Sequence, residues 1–203
     1  MKLKICGIKN KRTLIELAEK NIWPDYIGFV FAKSKRQVTM QQVSAWKTHI
    51  PENIPTVGVF VNPGLNEVVN APVDIIQLHG DESPDYCQQV KDITGKKIWK
   101  AISVKEGESN VYYQEYLKVV DAFLFDTAGP NRGGNGIKFN WQNYKRIWES
   151  IDKKIIVAGG IKEEAIKKLK HYPVDTVDIS SGVEVNGEKS VEKIIGVIKE
   201  TKL

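Results

Sequence analysis

Short apolar runs rich in β-forming residues alternate with longer amphipathic runs along the whole chain, and this alternation constrains the fold more than any other feature. The apolar runs are Leu3–Cys6, Tyr26–Phe31, Thr56–Val61, Ile75–His79, Ile98–Ile102, Ala122–Asp126, Ile155–Ala158 and Val177–Ser180. Helical patterns lie between them, clearest over Thr13–Asn21, Gln41–His49, Pro84–Thr94, Trp141–Ile151, Glu163–Lys170 and Val191–Thr201. Leu14, Leu17 and Ala18 recur at spacings of three and four, which puts them on one helix face. Phe123, Leu124 and Phe125 are apolar in succession, as in a strand of a parallel sheet buried on both faces. The third unit is the weakest, because Asn62-Pro63-Gly64 leads into a short helix that Pro72 soon ends. Eight strands, each followed by a helix, leave about 25 residues per unit in 203 residues, the size of a βα repeat. Eight such units close into a barrel. The expected fold is therefore α/β, a (β/α)₈ TIM barrel forming one domain over residues 1–203. A flavodoxin-like open sheet normally uses five strands and leaves the rest of the chain unexplained.

Bulk properties narrow the function classes. A chain of this length buries roughly 70% of its unfolded surface and needs no covalent staples. Its two cysteines, Cys6 and Cys87, are far apart and in no metal-like spacing, so a reducing cytoplasm is expected and no metal site. No apolar run approaches the roughly 20 residues that span a bilayer, and Met1–Lys4 enters an apolar segment without a signal-peptide pattern. A net charge of +5 suits an anionic partner, either nucleic acid or a phosphorylated metabolite. The lysines stand singly on helical stretches, as at Lys162, Lys167, Lys168 and Lys170, which reads as solvated helix faces and argues against nucleic acid. A monomer is expected, since no long apolar helix face is left without a use inside the barrel.

In such barrels the chemistry sits at the carboxyl ends of the strands. Those ends carry Cys6-Gly7, Phe31 through Arg36, Asn62, His79-Gly80-Asp81, Ser103, Asp126-Thr127, Gly159-Gly160 and Ser180-Ser181-Gly182. Polar, glycine-rich and titratable residues thus gather at one rim. Gly159-Gly160 after the seventh strand and Ser181-Gly182 after the eighth match the usual phosphate cradle, built from backbone N–H groups and a helix N-terminus. The glycine-rich segment Thr127–Lys138 follows Asp126 directly and has the composition of a mobile lid.

Several segments then point one way together. KICGIKN at Lys4–Asn10, GFVFAKSKRQV at Gly28–Val38, VGVFVN at Val57–Asn62 and QLHGDE at Gln77–Glu82 resemble phosphoribosylanthranilate isomerases. So do LFDT at Leu124–Thr127, GGNGIKFNW at Gly133–Trp141, AGGI at Ala158–Ile161 and DISSGVE at Asp178–Glu184. The resemblance runs over essentially the whole chain in the family's order. Three positions depart from it: Asn135 and Asn140 in the lid segment, and Ser190 where an acid is usual. Asn140 and Ser190 can still cap the helices that follow them.

The resemblance implies an Amadori rearrangement of an aminoaldose phosphate, without cofactor, on the route to tryptophan. It makes Asp126 the general acid that opens the sugar ring and Cys6 the general base at C2. Partial burial behind Phe123-Leu124-Phe125 should suit Asp126 to that task, and Cys6 calls for a cation or a backbone dipole to favour its thiolate. Arg36 would clamp the anthranilate carboxylate through its planar guanidinium. His79 would hydrogen-bond the substrate or simply be a satisfied polar residue. Asp178, if it points inward, needs a partner in the substrate or in a structural network. Other phosphate-binding barrels are the competitors. A metal-dependent transferase needs acidic Mg²⁺ ligands that are not evident, and an indole-glycerol-phosphate-type enzyme needs a catalytic lysine, for which Lys100 is the candidate.

Overall fold

The computed structural model describes residues 1–104, 111–127 and 141–202. All but the first residue of the expected lid, with Asn135 and Asn140, lie outside the described residues. Eight parallel strands form a closed barrel in chain order, with β8 returning to β1. They are β1 (Lys2–Cys6), β2 (Tyr26–Val30), β3 (Thr56–Phe60), β4 (Ile75–Leu78), β5 (Lys97–Val104), β6 (Ala122–Thr127), β7 (Lys154–Ala158) and β8 (Thr176–Ile179). Each of the eight apolar runs is one of these strands, with ends that differ by a residue or two.

Outside the barrel lie α1 (Lys11–Glu19), α2 (Met40–Trp46), α3 (Leu65–Val69), α4 (Pro84–Thr94), α5 (Gln142–Glu149), α6 (Glu163–Leu169) and α7 (Val191–Lys202). Local chemistry sets their starts. Asn10 caps α1 by accepting from the Thr13 N–H at 3.0 Å, and Thr39 and Gln42 form a reciprocal capping box on α2. Ser83 caps α4, whose first residue is Pro84 and whose end is the left-handed Gly95. Ser190 does the same for α7, accepting from the Lys193 N–H at 3.3 Å, so the family's usual acid is replaced here by a working cap.

The fifth unit departs from the alternation. Among the described residues, one turn of 3₁₀ helix, Gln114–Tyr116, stands between β5 and β6 where a full helix was expected. Tyr112-Tyr113 and Val119-Val120 flank it, aromatic and β-branched residues that favour helix poorly. A second unanticipated element is an antiparallel hairpin, β9 (Glu184–Val185) and β10 (Glu188–Lys189). Its turn residues, Asn186 and Gly187, both have positive φ, as a two-residue hairpin turn demands.

Two apolar regions result. Leu3, Ile5, Ile27, Phe29 and their equivalents point outward and pack under the helices. Tyr26, Val57, Ile75, Trp99, Ala122, Leu124 and Ile156 fill the barrel interior, where Tyr26 and Trp99 meet edge to face at 5.1 Å. No helix among the described residues is long and apolar enough to cross a membrane.

Candidate active site

Strand residues alternate between the two faces of the sheet, and this parity builds the site in levels. On β4, Ile75, Gln77 and His79 point inward in succession. On β1 the inward series is Lys2, Lys4 and Cys6, and on β6 it is Ala122, Leu124 and Asp126. The lowest level is mostly apolar, the middle one holds Lys4, Gln77 and Asp178, and the mouth presents Cys6, His79 and Asp126. A pocket of about 700 Å³ opens over the mouth. All nine site residues singled out in the sequence line it: Cys6, Arg36, His79, Asp126 and Asp178, with Gly159, Gly160, Ser181 and Gly182.

Cys6 sits beside a cation, as its expected role requires. The Lys4 charge favours the Cys6 thiolate, and Gly28 leaves the room for both side chains, since a Cβ there would stand 3.0 Å from Lys4 Cε and 3.1 Å from Cys6 Sγ. The cation does not prevail, however. Burial pushes the Cys6 thiol up, and Asp178 adds to this, against the opposing pull of Lys4 and Lys189. Lys4 itself is fully buried. It donates to Gln77 Oε1 at 2.7 Å and to Asp178 Oδ2 at 2.8 Å. Burial disfavours its charge, yet Asp178 first and Cys6 second outweigh that and hold its pKa above the ordinary lysine value. Asp178 therefore finds its partner in a structural network through one oxygen. Its Oδ1 is buried with no hydrogen-bond partner.

Asp126 shares this asymmetry. Its Oδ2 lies 3.1 Å from His79 Nε2, while its Oδ1 is buried without a partner. The sense of the His79 contact follows from Lys4. An ammonium only donates, so the Gln77 oxygen must face Lys4 and the Gln77 amide nitrogen must face His79 Nδ1, 3.0 Å away. Nδ1 then accepts, the ring proton resides on Nε2, and His79 donates to Asp126 Oδ2.

Gly159 and Gly160 end β7 with φ of 93° and 61°, values that favour glycine. Ser181–Val183 form a single 3₁₀ turn after β8. A Cβ on Gly182 would collide with the Ile161 carbonyl, so the two loops approach as closely as glycine permits. Opposite them, Arg36 is already engaged. Its Nε and Nη2 donate to the two Glu184 oxygens at 2.6 and 3.0 Å, and Lys189 donates to Glu184 Oε1 at 2.8 Å. Burial disfavours the Glu184 charge, but Arg36 and then Lys189 outweigh it and hold its carboxyl down at about 2.

Sequence reasoning gave no role to Lys4, Gln77, Glu184 or Lys189. The available signal was parity: Lys4 shares its strand face with Cys6, and Gln77 is a lone amide two residues before His79. Lys100 stands outside this group. It is buried against Glu82 at 3.1 Å and the Gly80 carbonyl at 2.7 Å, and Glu82 in turn accepts the Asn62 and Gly80 N–H groups. It ties loops together and does not line the pocket. Among the described residues, no cluster of three or more His, Cys, Asp or Glu could hold a metal ion.

Fold and pocket together define a (β/α)₈ barrel with a single polar mouth at the carboxyl ends of its strands, the class in which that rim carries the chemistry. Residues 3–200 match the family model described as N-(5'-phosphoribosyl)anthranilate (PRA) isomerase. An N-(5'-phosphoribosyl)anthranilate isomerase of Brevibacillus brevis is 42% identical, across 99% of this chain and 93% of that protein. A phosphoribosyl anthranilate isomerase structure from Thermotoga maritima superposes with a TM-score of 0.85 at 26% identity, covering 100% of this chain and 98% of the other. A further phosphoribosyl anthranilate isomerase, in complex with reduced 1-(o-carboxyphenylamino)-1-deoxyribulose 5-phosphate, gives 0.81 at 25% identity with the same coverage. This chain belongs to the phosphoribosylanthranilate isomerase family.

Proposed function

We propose that this enzyme converts N-(5'-phosphoribosyl)anthranilate to 1-(o-carboxyphenylamino)-1-deoxyribulose 5-phosphate in L-tryptophan biosynthesis, with Asp126 as general acid and Cys6 as general base. The observation that carries the reading is the placement of these two groups three strands apart on one pocket. The Asp126 proton passes to the ring oxygen as the C1–O bond breaks and the nitrogen lone pair forms the C1=N bond. The Cys6 thiolate then takes the C2 proton, the C–H electrons form C1=C2, and the C=N electrons return to nitrogen. Ketonisation adds a proton at C1 and removes one from O2. A thiol pushed up by burial ionises less readily but is the stronger base once ionised, and the adjacent iminium acidifies the C2–H bond.

The substrate's phosphate would sit on Gly159, Gly160, Ser181 and Gly182, where Gly182 lets the two loops approach closely. With its Nε edge held by Glu184, Arg36 keeps the Nη1 edge for the anthranilate carboxylate. Asp178 Oδ1 would accept a sugar hydroxyl. The reaction moves only protons within one substrate, so it calls for no metal or cofactor. A single catalytic domain acting as a cytoplasmic monomer completes the proposal. The test is turnover of freshly generated phosphoribosylanthranilate, followed by loss of its fluorescence. Cys6→Ala and Asp126→Ala should each lose at least about a hundredfold in kcat while remaining folded. A folded wild-type protein with no turnover would overturn the reaction, and full activity in either variant would overturn that residue's role.

A further inference from the structure

Among the described residues Lys4 is the most deeply buried charge that the proposed reaction leaves without a task. A buried ammonium is costly unless it is paired, and this one is paired in a directional way. It sits between Cys6 on its own strand and Asp178 on β8, and its third contact is Gln77, the amide that sets the ring proton of His79. One lysine thereby touches the machinery of both ends of the pocket.

We propose that Lys4 is a positioning residue for the reaction: it is the fixed cation against which Cys6 ionises, and through Gln77 it holds the His79 ring proton on Nε2, against Asp126. The second part follows from donor and acceptor counting. Lys4 can only donate, so Gln77 turns its nitrogen to His79 Nδ1 and leaves the ring proton on Nε2, 3.1 Å from Asp126 Oδ2. The charge balance around Cys6 is otherwise set by few groups. Asp178 faces it from β8, Lys189 from β10, and Arg36 from the loop after β2. His79 and Asp126 line the same pocket from β4 and β6. Among the described residues Lys4, Lys189 and Arg36 pull toward the thiolate against burial, and Lys189 and Arg36 are both committed to Glu184.

This inference rests on the proposed roles of Cys6 and Asp126, and its test is read without substrate, so it stands or falls separately from turnover. The rate of Cys6 alkylation by iodoacetamide is followed against pH in the intact protein, with buried Cys87 as the unreactive internal control. Lys4→Met should slow alkylation at neutral pH at least about tenfold, one unit of midpoint. Asp178→Asn should move the midpoint the other way, because it leaves the Lys4 charge uncompensated beside the sulfur. A role confined to packing predicts no such opposition of sign, and equal or absent shifts overturn the proposal. Should Lys4→Met fail to fold, Asp178→Asn and the wild-type protein still decide. In ¹⁵N-histidine NMR of the wild type, the resonances lost in His79→Gln should belong to a neutral ring protonated at Nε2. Protonation at Nδ1 instead would overturn the relay.

Discussion

The two rims of the barrel are built on opposite plans. At the rim where the strands begin, one device recurs four times. Asp25, Asp74, Asp121 and Asp175 each stand just before an even-numbered strand, and each carboxylate accepts a backbone N–H near the start of the preceding odd one. The donors are Leu3, Thr56, Ile98 and Ile155, at 2.9, 2.7, 2.8 and 2.8 Å. Strands are thus clamped in pairs, β1 to β2 through β7 to β8. At the other rim no one device recurs at every pair. Cys6, Asn62, His79, Asp126, Gly159 and Ser180 end their strands with six different residue types. The task of the first rim, closing a ring of equivalent strands, is the same at every pair and admits one solution. The second rim must hold one asymmetric substrate, so every strand end has its own task.

If that division is real, damage to the first rim should cost stability and spare chemistry. Removing a charged acceptor from a buried-end N–H costs about 1–3 kcal/mol. Asp121 and Asp175 share no partner, so the double variant Asp121→Ala/Asp175→Ala should lose the sum of the two singles in urea unfolding. Its kcat per folded molecule should stay within about twofold of wild type. A tenfold loss of kcat would break the comparison, because it would make the clamps part of the catalytic geometry.

Acid should test the other rim. Glu184 is held down at about 2 against an ordinary 4.5, so the stability it contributes is fully present above pH 4.5 and is lost as pH falls toward 2. After allowance for solvent screening this amounts to about 1–2 kcal/mol. Glu184→Gln should lack that part of the acid dependence, whereas the clamp variants should retain it. The smallest effect is expected at Ser190. Ser190→Ala should cost about 1 kcal/mol through loss of the α7 cap, and Ser190→Asp should restore it. Turnover should be unchanged in both, which would show that this departure from the family pattern concerns a helix start and not the reaction.

The strands were legible because a buried parallel strand leaves an uninterrupted apolar run, and Phe123-Leu124-Phe125 is hard to read otherwise. Helix starts were legible where a cap announces them, as at Ser83-Pro84. The unit after β5 was misread because the alternation was extended to a segment that itself carries no helical periodicity. The hairpin at Asn186-Gly187 was missed although its turn signal is local, because a two-residue strand is too short to show alternation. Strand-end position picked out Gly159, Gly160, Ser181 and Gly182, resemblance gave Cys6 and Asp126 their expected roles, and the barrel gathers all nine site residues on one pocket.

By itself, the sequence determined which residues alternate inward and which strand ends carry polar and titratable groups, since both follow from a period of two within each strand. Partnership was decided only by the tertiary structure. Lys4 and Asp178 are 174 residues apart, as are Cys6 and Ser180, and no local pattern relates them. Only ring closure, which lays β8 against β1, puts the carboxylate on the ammonium. The same closure hands Arg36 to Glu184 across 148 residues and so fixes which edge of the guanidinium is left to meet a substrate. Charges act through distance in space, and in a barrel that distance is set by the last strand finding the first.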